Sequence, residues 1–347
     1  MTHTIHLDPP VTPAMNTHTM PRSAEPMGRW RSLTGFVALL TAAVLTIGLL
    51  GAARARAAAL PVPYSYGAEQ SFWLDEFFAP TTLAGANNGC RPTSQHPYPV
   101  ILVHGTFEDE ASNWLTLAPL LANNGYCVYA LNYGETSLSL GGRIDGFGEI
   151  AASAHDFAAF VNQVLAETGA RQVDIVGHSL GGTMPLYYLK FLGGAAKVHE
   201  LIGLAPMNHG TTLDGIALLS QLFPQPQRGR IVYFLNEIGA PSLPEQEVNS
   251  SFMTNLFASG DTVPGPRYVV IETKYDGLLT PYTNAFLNGP NVANILIQDQ
   301  CPQDMVGDQG ISFDGPTTAD VLNELSQSPN PSYAPPCTNL GPPGYLF

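Results

Sequence analysis

Gly177-His178-Ser179-Leu180-Gly181 carries the plainest chemistry in the chain. It follows the apolar run Val173-Asp174-Ile175-Val176 and precedes a helical pattern over residues 180–192. That frame predicts a strand, a turn too tight for flanking side chains, and a helix. Such a turn exposes the Ser179 hydroxyl, and the first amides of the helix favour an oxyanion. The chemistry would be nucleophilic attack on an acyl carbon; a structural serine in a Gly-rich turn is the plain alternative. His104-Gly105-Thr106, after a second apolar run, has the position of a loop that supplies another oxyanion donor. The amides of Thr106 and Leu180 are the candidate oxyanion hole. His104 itself reads as a backbone-bonding side chain.

A serine nucleophile needs a base, and the base needs an orienting acid. Asp276 lies just beyond a strand ending at Glu272 and is the candidate acid, against an ordinary turn aspartate. The base is missing from its expected place. His96, His104, His155, His178, His199 and His209 are the histidines beyond residue 59, and none follows Asp276. By location His209 is the best substitute, ahead of His178, whose side chain the turn is expected to direct elsewhere. His155 reads as a helix-face residue, His96 and His199 as loop or strand-edge residues.

The elements that must hold these residues alternate. Strands are predicted over 98–103, 127–131, 173–176, 201–205, 268–272 and 294–298. Helices are predicted over 111–123, 149–168, 180–192 and 317–326. Alternation implies an α/β fold, a mostly parallel central sheet with helices on both faces. In such sheets ligands bind beyond the carboxyl ends of the strands. Residues 210–264 are less regular and read as a lid-like excursion above the sheet. Within it Leu218, Leu219, Leu222 and Phe223 read as core before they read as an interfacial cover.

Composition narrows the classes. Of 347 residues, 45% are hydrophobic and only 12% charged, with net charge −14. The apolar fraction excludes a disordered chain, and the acidic balance excludes a basic nucleic-acid footprint. No Cys/His cluster has zinc-ligand spacing and no calcium-loop pattern occurs, so no metal or cofactor is expected. Arg22, Arg29 and Arg31, an uncharged run from Ser32 to Ala53 and an Ala-rich exit make residues 1–59 read as a cleaved secretory signal. An uncleaved N-terminal anchor is the alternative. The body is then one domain, residues 60–347, exported, with a Pro-rich tail over 329–347. Its four cysteines suggest two disulfides in an exported chain. Cys90–Cys127 and Cys301–Cys337 are favoured because each pair lies within one region.

Together these segments resemble the secreted triacylglycerol lipases of actinomycete bacteria, within the α/β-hydrolase superfamily. The likeness runs through Pro99–Asn132, Gly177–Gly182, Leu204-Ala-Pro-Met-Asn-His-Gly-Thr-Thr212, Tyr275–Tyr282 and Gln298-Asp-Gln-Cys-Pro302. It implies an α/β-hydrolase fold and a serine carboxylester hydrolase of lipase or esterase type, acting on acylglycerols or other lipid esters. In that family the catalytic histidine stands in a Val-Gly-His-x-Gly-Ile segment. Here Val306-Gly307-Asp308-Gln309-Gly310-Ile311 matches it with Asp308 in the histidine's place. A carboxylate is the weaker base near neutral pH. The resemblance therefore leaves two further expectations: an impaired homologue that binds lipid or a partner, or a hydrolase in which Asp276 and Asp308 support slow chemistry at low pH.

Overall fold

Val100–Val103 (β1) is four apolar residues, all buried, and it forms the second strand of a six-stranded sheet. A strand covered on both faces needs apolar side chains at every position, which is why the strands read as unbroken runs rather than alternations. The computed structural model describes residues 58–64, 82–212 and 227–343. The remaining strands are β2 (Val128–Leu131), β3 (Val173–His178), β4 (Val198–Leu204), β5 (Arg267–Glu272) and β6 (Val292–Leu296). All pairings are parallel, in the order β2-β1-β3-β4-β5-β6.

Successive side chains of each strand go to opposite faces. Ile101, Val103, Tyr129, Leu131 and Ile175 meet α2 (Ile150–Thr168) and α3 (Leu180–Phe191) in one core cluster. Val100, Leu102, Val128, Ala130 and Val176 meet Trp114, α1 (Leu117–Asn123) and α8 (Gly315–Glu324) in the other. The excursion contains α4 (Gln227–Glu237), α5 (Ser242–Glu245) and α6 (Ser251–Phe257). Its Leu218, Leu219, Leu222 and Phe223 lie outside the described residues, as does the leader up to residue 57.

Most element boundaries differ from expectation by one to six residues, two of them because a side chain caps the backbone. The helix expected from residue 111 begins only at Leu117, because Asp109 Oδ1 accepts the amides of Ala111 and Ser112, both at 2.7 Å, and makes a turn there. The last helix starts at Gly315 rather than 317, because Asp314 caps it by accepting the Thr317 amide at 2.8 Å. The last strand ends at Leu296, and Ile297–Gln300 is a helical turn, α7.

Two disulfides join the favoured pairs, Cys90–Cys127 and Cys301–Cys337. The second anchors the tail, which then crosses the loop after α7. Gly315 donates to Asn339 O at 2.9 Å, Gly341 donates to Asp314 Oδ1 at 2.9 Å, and Val306 bridges Pro343. No helix among the described residues is long and apolar enough to cross a membrane.

Candidate active site

Strand order reverses between β1 and β3, so the chain leaves their carboxyl ends in opposite directions and opens a crevice there. Ser179 stands at that crevice, between β3 and α3, with φ 51° and ψ −121°. A non-glycine residue in this region stores about 1–3 kcal/mol of strain. The surrounding glycines make the turn feasible. A Cβ on Gly177 would lie 2.0 Å from Gly181 O, and one on Gly181 would lie 2.1 Å from Val103 O. Leu180 opens α3, so its amide is one of the helix's unpaired first donors.

The loop after β1 faces it. His104 is fully buried, stacks on Tyr133 at 4.4 Å, and has Nδ1 2.7 Å from Gly105 O. Burial lowers its pKa to about 4, so the ring is neutral and structural. Thr106 follows, its hydroxyl within 3.2 Å of Gln246 Nε2. Ser179, Thr106 and Asp308 line one cavity of about 410 Å³, and Phe107, Met207, Leu235, Leu243 and Leu278 supply much of its apolar wall. Its size and lining suit an acyl chain.

Asp276 follows β5 and is 7% exposed. Its Oδ1 accepts the amides of Leu278 and Leu279 at 2.8 and 2.7 Å, and Oδ2 has no partner. Burial first, and then the Asp308 charge, push its carboxyl well above the ordinary range. Glu272, at the end of β5, is raised by burial and then by Asp276. Asp308 opens a 3-10 turn (Asp308–Phe313) and is buried. The positions expected to hold acid and base are therefore neighbours in space, and both are carboxylates.

His209, the best substitute by location, is not in the cavity lining, whereas His178, expected to be directed elsewhere, is. His209 Nδ1 lies 2.8 Å from Asn284 O and Nε2 lies 3.1 Å from Asp261 Oδ1, and the ring packs on Phe257, away from the cavity lining. His178 lines the cavity instead. Its Nδ1 is 2.8 Å from Glu108 Oε2, and its Nε2 is 3.1 Å from Asp308 O and 3.5 Å from Asp308 Oδ1. Burial works against a charged ring here, but the Glu108 and Asp308 carboxylates outweigh it and hold His178 well above the usual histidine range. Sequence reasoning passed over Glu108 and Glu272. The available signals were the acidic run Glu108-Asp109-Glu110 in a chain poor in charge, and a glutamate ending an apolar strand.

At the opposite ends of β3 and β4, Asp174, His199 and Glu200 bring ligand atoms within 4.8 Å of one another. His199 Nδ1 sits 2.8 Å from Asp174 Oδ1, and Glu200 pairs with Arg267, so protein partners already satisfy the group.

The chain has the α/β-hydrolase fold, and the sequence pattern of the α/β-hydrolase fold family matches residues 98–254. Triacylglycerol lipases of Pseudarthrobacter phenanthrenivorans and Burkholderia plantarii are each 37% identical to it over 95 residues. That match covers 26% of this chain, and 27% and 24% of the respective relatives, about a quarter of their lengths. Lipase B of Aspergillus fumigatus superposes with a TM-score of 0.51 at 19% identity, over 77% of this chain and 57% of that one, a likeness of fold.

Proposed function

We propose that this chain is an exported serine ester hydrolase of lipase or esterase type, acting on acylglycerols or other lipid esters through Ser179, with Asp308 as general base. The observation that carries the reading is the strained Ser179 on the wall of an apolar cavity that Asp308 also lines. The Ser179 proton passes to an Asp308 carboxylate oxygen as Oγ bonds the acyl carbon. The carbonyl electron pair moves onto oxygen, opposite the Thr106 and Leu180 amides. Collapse breaks the bond to the alkoxide, which takes the proton from Asp308. Water repeats the sequence, giving its proton to Asp308, and frees the acid and Ser179. Asp276, protonated, stands behind Asp308 as the orienting acid. No cofactor enters these steps. The two disulfides support maturation in an oxidising compartment, and the leader supports export, with residues 60–347 as the catalytic domain.

A second reading, a lipid- or partner-binding homologue without turnover, is favoured by one observation: the imidazole at the cavity wall has both nitrogens engaged, by Glu108 Oε2 and Asp308 O, so neither is free to take the Ser179 proton. Hydrolysis of short- and long-chain p-nitrophenyl esters by residues 60–347 separates the two. The first reading expects turnover above a Ser179→Ala blank, lost in Asp308→Asn, and raised by about 10²–10⁴-fold in Asp308→His near neutral pH. Native activity equal to the blank would leave the binding reading.

A further inference from the structure

His178 ends β3, Glu108 lies in the loop after β1 and Asp308 opens the 3-10 turn, and nothing in the acyl-transfer steps above uses the first two. We propose that Glu108 and His178 are positioning residues for a carboxylate base: an imidazolium behind Asp308, clamped by Glu108, takes over the support that a triad gives its base. The inference rests on the ester-hydrolase reading and deepens it.

Three features of the geometry carry it. Glu108 is a buried carboxylate whose acceptors are spent inward. Its Oε2 takes the Gly105 amide at 2.9 Å and faces His178 Nδ1 at 2.8 Å, and its Oε1 takes Asn113 Nδ2 at 3.1 Å. Room for that approach exists only because residue 105 is glycine, where a Cβ would come within 2.5 Å of Glu108 Oε2. Secondly, both ring nitrogens of His178 face acceptors, Glu108 Oε2 on one side and Asp308 O on the other; Asn113 Nδ2 also lies 3.0 Å from Nδ1, but its two hydrogens have Glu108 Oε1 and Ser312 Oγ as acceptors. Only the protonated ring donates from both. Thirdly, Asp308 Oδ1 has no hydrogen-bond partner and sits 3.5 Å from His178 Nε2. The imidazole is therefore in ion-pair range of Asp308, while the charges of Glu272 and Asp276 act on the same group.

Carboxylates gathered in a buried crevice without a cation are strongly disfavoured. With it, one of the acids is kept as the carboxylate, and the hydrogen bond to the Asp308 carbonyl tethers the backbone of its turn. The usual serine–imidazole–carboxylate order becomes serine–carboxylate–imidazolium–carboxylate. The groups facing His178 are Glu108 and His104 from the β1 loop, Asp308 from the 3-10 turn, and Glu272 and Asp276 from the end of β5. The neutral polar neighbours are Asn113 and Ser312, which bond each other at 3.2 Å.

The sign of the pH effect follows. Deprotonating His178 removes the charge that holds Asp308, so reactivity of Ser179 falls on the alkaline side. Glu108→Gln removes one of the two carboxylates that keep the ring protonated, so the fall comes at lower pH, by about 1–3 pH units. Glu108→Asp restores a carboxylate and moves the fall back. A merely structural clamp would change stability and leave the position of the alkaline fall alone.

The experiment is the rate of fluorophosphonate labelling of Ser179 against pH in the native chain, Glu108→Gln and Glu108→Asp, beside a ¹⁵N NMR titration of the His178 ring in the native chain. The expected result is labelling that falls with the His178 proton in the native chain, falls earlier in Glu108→Gln and recovers in Glu108→Asp. Labelling with an unmoved alkaline fall in Glu108→Gln overturns the positioning role and leaves the hydrolase reading standing. So does a neutral His178 ring at pH 7, which decides the matter even if Glu108→Gln does not fold. A native chain that takes no label at any pH overturns both.

Discussion

Gly177 and Gly181 differ from the glycines that merely end helices. Backbone oxygen stands 2.0 Å from the Cβ that an alanine at Gly177 would add, and backbone cannot swing aside as a side chain can. Gly169, which closes α2 at φ 73°, has nothing within 4 Å of the same atom. Gly177→Ala should cost about 3 kcal/mol or more and abolish reactivity at Ser179. Gly169→Ala pays only for its left-handed backbone, about 1–2 kcal/mol, and should leave reactivity unchanged. Urea midpoints and fluorophosphonate labelling of both variants check this, and equal losses would contradict the geometry. The same reasoning explains why the Ser179 motif is readable from sequence: its glycines answer to atoms only a few residues away or in the adjacent strand.

The two disulfides allow a cleaner comparison of elements. They span 37 and 36 residues, so in the loop-entropy account each stabilises the folded chain by about 4 kcal/mol. They differ in what they hold. Cys90–Cys127 fastens the segment before β1 to the start of β2. Cys301–Cys337 fastens the tail that runs over Val306, Gly307 and Gly310, next to Asp308. Replacing either pair by serines should lower the urea midpoint by a similar amount. Only loss of Cys301–Cys337 should also slow labelling of Ser179, because the Asp308 turn loses its cover. Equal slowing in both variants would show that the tail does nothing specific for the site.

Acidity governs the molecule as a whole. Besides Asp276 and Glu272, burial and then the Asp304 charge raise Asp314 to about 7, and burial raises Asp320 to about 7. A carboxyl whose folded pKa exceeds its unfolded value of about 4 binds its proton more tightly when folded. Stability therefore falls as pH rises between those two values. His178 adds the same sign, since a histidine raised on folding contributes fully below about 6.5 and loses that contribution as pH passes its folded pKa. The melting temperature should be higher at about pH 5.5 than at about pH 8. A flat or opposite profile by calorimetry would mean these acids titrate normally. An acidic optimum also suits a carboxylate base, so stability and the proposed chemistry favour the same range.

The sequence by itself determined the alternation of strands and helices and the serine turn; it favoured, without fixing, the two cysteine pairs, and Asp308 was reached only through the family resemblance. Each depends on neighbours close in the chain, or on a residue type that has few other uses. It also misled where a capping side chain redrew a boundary, as Asp109 and Asp314 did. What only the tertiary structure decided is the company each charged group keeps. Glu108 and His178 are 70 residues apart, and His178 and Asp308 are 130 apart. His209 and His178 look alike as letters, and one packs on Phe257 beside Asp261 while the other enters the cavity wall between two carboxylates. The physical reason is that protonation and reach are set by burial and opposing charge. Those are properties of the folded neighbourhood, fixed only when the crevice between β1 and β3 closes around them.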